Sequence, residues 1–206
     1  MLTPVPVLDR AVPPARARVT LAEYLALPEG QPNYEFEKGE LIRMNPPHAR
    51  HQDLLLALGS ELRSYILRLK LGRIWPEIEL RLSGQRVYIP DLVFLATAHL
   101  DRYSDATGRL HGAPDLVVEI LSPATRRRDR TSKLRAYQGA GVAWYWIVDP
   151  DSLWIEEYRY IPEGYVLAQS IPPGETFAPG LFPELRIDLA ALLGVTPVID
   201  PADDER

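Results

Sequence analysis

Residues 116–121 form a short run that is apolar at every position except Glu119. A run of this kind predicts a strand that is buried on both faces near the centre of a sheet. Glu119 is the exception, and a carboxylate is costly to bury unless it has a partner or a metal ion. The run therefore constrains the fold to a sheet with covered faces and marks Glu119 as a candidate functional residue.

The rest of the chain supplies elements that could cover such a sheet. The strongest helix signal spans residues 48–70, where apolar residues recur every three or four positions and Gly72 follows. A capping box at residues 20–23 predicts a short helix to about Leu27. The other predicted elements are a hairpin over 34–36 and 41–44, a helix over 126–139, strands over 74–82, 87–95, 115–121, 144–148 and 153–160, a loop-rich stretch after 165–167, and a strand end with a short helical turn within 185–193. This order predicts an α/β fold with a mixed β-sheet flanked by helices, preceded by an N-terminal helix and a β-hairpin.

The 206 residues predict one domain over 20–195, between a flexible Pro- and Arg-rich arm (1–19) and an acidic tail (196–206). There is no cysteine, no membrane-spanning apolar run and no secretory-signal pattern, so a cytoplasmic protein is expected. The net charge of −5 argues mildly against tight, unaided binding of nucleic acid. Charge is unevenly distributed, however, because residues 126–135 carry six positive charges and one negative charge.

A second acid and a lysine can be grouped with Glu119. Asp91 follows Pro90 and opens an apolar strand, so two neighbouring strands would bring two carboxylates to one hard divalent ion. Lys133 lies on the helix after Glu119, where a cation could stabilise charge on a phosphate. Arg126, Arg130, Lys133 and Tyr137 are spaced to share one helix face, which predicts phosphate contacts from Arg126, Arg130 and Tyr137.

These motifs resemble a known superfamily. Pro90-Asp91, then Glu119-Ile120-Leu121 and a downstream lysine, look like the PD-(D/E)XK nucleases with the restriction-endonuclease-like fold. The stretches YEFEKGEL (34–41), GAPDLVVEILSP (112–123) and YWIVDP (145–150) are similar to the Uma-two family within that superfamily. The resemblance covers roughly residues 20–165, and the motifs occur in the family's order.

The resemblance implies a role for each matching residue. Asp91 and Glu119 take the positions of the metal-binding acids, and the backbone carbonyl of Ile120 is a further oxygen ligand. Leu121 stands where the superfamily's usual lysine would be, so Lys133 takes the lysine's role from the next helix. The family also implies Mg²⁺ or Mn²⁺ as cofactor, DNA as substrate and a homodimer. Candidates for an additional site residue are, in order, Glu40, Glu79 and Glu35, together with His51 as a hydrogen-bonding group.

Each of these residues also has an ordinary interpretation. Glu119 could pair with a buried arginine, and a basic helix face is usually solvated. Asp115 is interpreted as structural, and the aromatic residues 144–146 as core, although the region 144–154 could alternatively form a dimer interface. Three functions remain open: a divalent-metal-dependent endonuclease acting on DNA, a catalytically silent module that binds nucleic acid or a protein partner, and a hydrolase of another phosphorylated substrate. Metal binding that depends on Asp91 separates the enzymes from the module.

Overall fold

The computed structural model of the chain describes residues 16–27 and 33–196. Its helices are α1 (Leu21–Leu25), α2 (Ala49–Leu69), α3 (Arg126–Arg128), α4 (Leu134–Ala140) and α5 (Leu189–Leu193), with a 3₁₀ helix at Thr97–Arg102 and a π-helical turn at Asp129–Lys133. Its strands are β1 (Arg16–Arg18), β2 (Tyr34–Glu37), β3 (Glu40–Arg43), β4 (Gly72–Pro76), β5 (Leu80–Leu82), β6 (Arg86–Tyr88), β7 (Leu92–Ala96), β8 (Tyr103–Ser104), β9 (Arg109–His111), β10 (Leu116–Ile120), β11 (Trp144–Val148), β12 (Ile155–Ile161) and β13 (Gly164–Ile171).

The strands form two mixed sheets rather than the single sheet predicted. The first sheet has the order β1-β3-β2-β6-β5-β9-β8, and the second has the order β13-β12-β11-β10-β7-β4. The α/β class with helices flanking mixed sheets is therefore confirmed, while the number of sheets is corrected.

Two predicted strands were wrong because each crosses from one sheet to the other. The stretch 74–82 divides into β4 and β5 around Glu77, whose φ of +45° is incompatible with a continuous strand. The stretch 87–95 divides into β6 and β7 on either side of Pro90, which has no N–H to donate to a ladder. Both breaks lie beside Asp91, so the crossing point between the sheets is also where the candidate site begins.

Strand β10 occupies an interior position, antiparallel to β7 and parallel to β11. On one face, Val118 and Ile120 belong to the same hydrophobic cluster as Leu54, Leu58 and Leu62 of α2. Full burial of each such leucine contributes roughly 1.5–3 kcal/mol. The predicted helix over 48–70 is confirmed, since α2 runs from the N-cap His48 to the C-cap Lys70.

The other face of β10 packs against the helix that follows it. Val117 and Leu121 share a cluster with Ala136 and Tyr137 of α4 and with Tyr145 of β11. Alternation along the strand puts Glu119 on this second face, toward α4 rather than toward α2.

Other elements differ from the sequence-based expectations near the chain ends. Arg16–Arg18, placed in the flexible arm, pair with β3. Strand β13 continues to Ile171, so the loop-rich stretch predicted after residues 165–167 begins later than expected. Tyr145 and Trp146 are fully buried, so they belong to the core and not to an interface.

Residues 1–15 and the tail from 197 onward lie outside the described residues. Within the described part of the chain, no helix is long and apolar enough to cross a membrane.

Candidate active site

Asp91 and Glu119 meet where β7 and β10 run side by side. Val118 pairs with Leu92 in the antiparallel register of β10 and β7. The next residues in this register are Glu119 and Asp91. The backbone N–H of Ile120 donates to Asp91 Oδ2 at 2.6 Å, which fixes that carboxylate against β10. Both acids are buried, with relative exposures of 9% for Asp91 and 4% for Glu119.

Lys133 reaches this pair from the π-helical turn. Its Nζ lies 2.9 Å from Glu119 Oε1 and 3.0 Å from Glu35 Oε1, with Asp129 Oδ1 at 3.5 Å. The lysine is only 2% exposed. A π-helical turn inserts an extra residue into the helix, and such turns occur frequently at functional sites. Here Asp129 and Lys133, at the two ends of the turn, both point inward.

Glu35 extends the cluster into the first sheet. It lies on β2 and is 1% exposed. Its Oε2 accepts a hydrogen bond from Arg128 Nη1 at 2.7 Å, and its Oε1 accepts one from the backbone N–H of Ile89 at 3.3 Å. Glu35 therefore joins the hairpin to the basic helix through two cations, Arg128 and Lys133.

A tyrosine and a histidine complete the contacts of the two central acids. The Tyr137 hydroxyl donates to Glu119 Oε1 at 2.6 Å. His51, in the first turn of α2, places Nε2 3.2 Å from Asp91 Oδ1. Both oxygens of Asp91 and one oxygen of Glu119 are thus held by the protein.

The buried charges shift one another's ionisation. Burial raises the pKa of Glu119 well above its usual range, and this effect exceeds the lowering by Lys133. Burial lowers the pKa of Lys133, but Glu119, Glu35 and Asp129 together raise it well above its usual value. The lysine therefore stays charged, and its one ammonium is shared among three acids.

The other titratable groups behave according to their partners. Burial raises the pKa of Glu35. Lys133 and Arg128 together lower this pKa by a larger amount, so it lies below its usual value. Burial raises the pKa of Asp129, and the opposing effect of Lys133, whose Nζ lies 3.5 Å from Oδ1, is smaller. Burial opposes the charged form of His51, but Asp91 outweighs it, so the pKa of the imidazole is raised.

The cluster holds more acids than permanent cations. The acids are Asp91, Glu119, Glu35 and Asp129, and the permanent cations are Lys133 and Arg128. This excess of negative charge favours the uptake of protons or of an additional cation.

A cavity of about 440 Å³ opens directly above these residues. Asp91, Glu119, Ile120 and Lys133 all line it. Its walls come from two proline-containing loops, one at Pro46-Pro47 before α2 and one at Pro123 after β10. The catalytic candidates therefore lie at the floor of a walled cleft and not on an open surface.

The structure brings together some of the residues predicted for the site and separates others. Asp91, Glu119, Lys133, Ile120, Glu35 and His51 line the cleft, and Tyr137 contacts Glu119 from behind. Four predicted residues are elsewhere and have other partners: Glu40 lies on β3 beside a neighbouring groove, Glu79 pairs with Arg81 and Arg109, Arg126 pairs with Asp149, and Arg130 pairs with Glu156.

The expected helix face is found for Lys133 and Tyr137, which both contact Glu119, but not for Arg126 and Arg130, because the helix is not regularly α-helical. The π-helical turn changes its phase, so Asp129, Lys133 and Tyr137 are buried together while Arg130 is exposed. Two residues that sequence reasoning missed, Arg128 and Asp129, enter the cluster for the same reason. Their only sequence signal was membership of the basic segment.

The donor set suits a hard divalent cation. Asp91 and Glu119 line the cleft together with Ile120, and oxygen ligands such as carboxylates and backbone carbonyls, completed by water and substrate phosphate, are those that Mg²⁺ takes. Within residues 16–27 and 33–196, no three Asp, Glu, His or Cys side chains are grouped as ready-made ligands. A metal would therefore be held by two side chains and would depend on non-side-chain oxygens.

The fold and the cleft define a nuclease-like α/β protein. A family model described as "Putative restriction endonuclease" matches residues 21–190, and the chain belongs to this family, Uma2. The chain is also similar to a solved structure described as a putative nuclease belonging to DUF820 from Anabaena variabilis ATCC 29413, with a TM-score of 0.71 and 24% identity. That match covers 85% of this chain and 98% of the other, and it shows the shared fold. A search of functionally curated proteins finds no match.

Proposed function

We propose that the chain is a divalent-metal-dependent endonuclease that hydrolyses phosphodiester bonds in DNA. The observation that carries this proposal is the convergence of Asp91, Glu119 and Lys133 at the floor of one cleft. A module that only binds a partner has no need of this arrangement, because burying charged groups together costs free energy.

The charge balance of the cluster supports Mg²⁺ or Mn²⁺ as the cofactor. Asp91, Glu119 and the Ile120 carbonyl are the oxygen donors we assign to the ion. A divalent ion held there would supply Lewis-acid stabilisation of negative charge on the scissile phosphate. Its charge would also offset the excess of acids over permanent cations in the cluster.

The remaining residues prepare the site for hydrolysis. Water oxygen forms a bond to phosphorus, one P–O ester bond breaks, and the departing oxygen takes up a proton. Lys133 is the group we assign to the negative charge that develops on the phosphate. Glu35 and Asp129 hold its ammonium in place, while Tyr137 fixes one oxygen of Glu119.

Cleavage of circular substrates tests the proposal. We expect the wild-type chain with Mg²⁺ or Mn²⁺ to cut supercoiled plasmid or circular single-stranded DNA, and Asp91→Ala and Lys133→Ala to abolish cutting. Asp53→Ala and Arg135→Ala, which remove exposed charges on α2 and α4, are the matched controls and should cut normally. Circular dichroism checks that each variant is folded.

Calorimetric titration with Mg²⁺ or Mn²⁺ separates this enzyme from a silent binding module. The proposal requires metal binding by the wild type that Asp91→Ala loses. If no circular substrate is cut and Asp91 makes no difference to metal binding, the catalytic proposal is wrong and the module becomes the better description.

A further inference from the structure

The depth of the candidate active site restricts the form of its substrate. Lys133 and Glu119 are only 2% and 4% exposed. In duplex DNA, the phosphates lie on the outside of a stiff rod that bends only at considerable cost. A phosphate of an intact duplex reaches such residues only if the protein offers an open face to the whole rod.

The cleft is limited in volume. Its volume of about 440 Å³ falls within the range of about 300–1,000 Å³ that is usual for small-molecule pockets. Its two walls carry Pro46, Pro47 and Pro123, and proline restricts the backbone movement that would widen the mouth. An unpaired strand can fold a few nucleotides into a space of this size, as enzymes that act on extruded or single-stranded nucleotides require.

Part of the positive charge of the basic helix is engaged within the protein, while Arg127 and Arg135 remain exposed. Arg126 is paired with Asp149, and Arg130 is paired with Glu156. Because affinity for duplex DNA depends largely on neutralising many phosphates, pairing these arginines within the protein removes much of that contribution. The excess of basic residues over 126–135 is therefore smaller at the surface than in the sequence.

A second cavity provides a continuation for one strand. It has a volume of about 350 Å³ and shares Arg128 and Ile42 with the cleft. Two further cations, Arg18 and Lys38, line it together with Glu37 and Glu40. The two cavities share Arg128, which also pairs with Glu35 and Glu37, and beyond it Arg18 and Lys38 supply two cations for a single sugar-phosphate backbone.

We propose that this site acts on an unpaired DNA strand, which enters the cleft and continues past Arg128 into the groove of Arg18 and Lys38. This inference rests on the proposed endonuclease function, since it specifies the substrate of that same site. The scissile phosphate then reaches Asp91, Glu119 and Lys133 only in single-stranded DNA or where the two strands of a duplex are unpaired.

Binding and cleavage are measured separately so that the two proposals can fail independently. Fluorescence anisotropy with the full-length Asp91→Asn protein and Mg²⁺ compares a labelled single strand with the blunt duplex of the same sequence. We expect the single strand to bind at least about tenfold more tightly. Equal or tighter binding of the duplex, or no binding of either DNA, overturns the inference.

Cleavage by the wild type uses the same two DNAs and a duplex that carries a central unpaired bubble. Cuts confined to the single strand and to the bubble support the inference. Faster cutting of the blunt duplex overturns it while leaving the endonuclease intact. Strand-selective binding without cleavage of any DNA supports the path for an unpaired strand, but it overturns action on that strand together with the endonuclease.

Two pairs of variants test the path itself. Ala124→Trp fills the mouth of the cleft and should weaken binding of the single strand about tenfold, whereas Ala106→Trp, in an exposed turn away from it, should not. Lys38→Glu should weaken binding more than Arg135→Glu, which makes the same charge change on the exposed side of α4. Equal effects within both pairs would contradict the proposed path.

Discussion

Two glutamates are buried in the second sheet, and their surroundings differ. Glu157 on β12 is fully buried and accepts hydrogen bonds from Trp146 Nε1 at 3.0 Å, from Gln169 Nε2 at 2.9 Å and from the Gly180 N–H at 3.1 Å. These donors are all neutral. Glu119 on β10 is instead held by the Lys133 ammonium and a tyrosine hydroxyl within a cluster of other acids.

The comparison shows that burial of a carboxylate does not by itself indicate function. Burial raises the pKa of both Glu119 and Glu157. Only Glu119 lines the cleft, and only its direct contacts include a charged group. Glu157 joins β12, β13 and the loop at Gly180, which is a structural task. The partner set and access to a cavity therefore distinguish the candidate catalytic acid from the structural one.

The largest expected effect concerns the charged partner of Glu119. Lys133→Met leaves Glu119 and Glu35 buried without their shared cation, and removing one member of a buried ion pair typically costs about 3–5 kcal/mol of stability. Urea unfolding near neutral pH measures this loss. Gln169→Leu, which removes one neutral donor from Glu157, should cost less, about 1–3 kcal/mol. Equal losses would show that the two carboxylates are held in the same way.

Catalysis should depend on one glutamate and not on the other. Glu119→Gln keeps the size of the side chain but removes the charge, so we expect DNA cleavage to fall by about 10²–10³-fold, as when a transition-state electrostatic contact is lost. Glu157→Gln should cleave at the wild-type rate if it remains folded. Initial rates on one substrate at saturating Mg²⁺ provide the test, and similar rates for both variants would remove the distinction.

Metal binding should also depend on Glu119 and not on Glu157. A ligand that binds only the folded state at about 100 times its Kd adds about 2.7 kcal/mol to the free energy of unfolding. We expect Mg²⁺ to stabilise the wild type and Glu157→Gln by this mechanism, and Glu119→Gln much less. Thermal unfolding with and without Mg²⁺, with EDTA as control, measures the difference. Stabilisation that survives in Glu119→Gln would place the ion elsewhere.

Local patterns in the sequence were sufficient for α2, the β2–β3 hairpin and the buried strand β10. Each depends on periodicity or turn chemistry that neighbouring residues supply. Local patterns did not predict the breaks at Glu77 and Pro90, where the chain passes from one sheet to the other. Apolar alternation does not indicate which strand a segment pairs with. The expected α-helical phase at Lys133 failed for a related reason, since no local sequence pattern indicated a π-helical turn.

The candidate site was predictable only in part. Asp91, Glu119 and Lys133 could be named from motifs, but Glu35 was only the third choice for an additional acid. It lies between Tyr34 and Phe36, which are both buried, so alternation alone would turn it toward solvent. Strand β2 lies between β3 and β6, and Glu35 is buried as well because Lys133 and Arg128 cover it. Such contacts depend on packing between distant segments.

The smallest expected effect is on the pH dependence of stability, where the two glutamates should act in the same direction but unequally. A carboxyl whose folded pKa is raised above its usual 4.5 holds its proton longer in the folded state, so its contribution to stability falls as the pH rises through the folded pKa. Glu157→Gln and Glu119→Gln should each make this decline shallower above about pH 4.5, and Glu119→Gln more so because its pKa is raised further. Glu35 has the opposite sign, since its lowered pKa gives stability that is lost as the pH falls. Urea unfolding of the three proteins across this range measures the slopes, and a steeper decline in either variant would contradict the raised pKa of that glutamate.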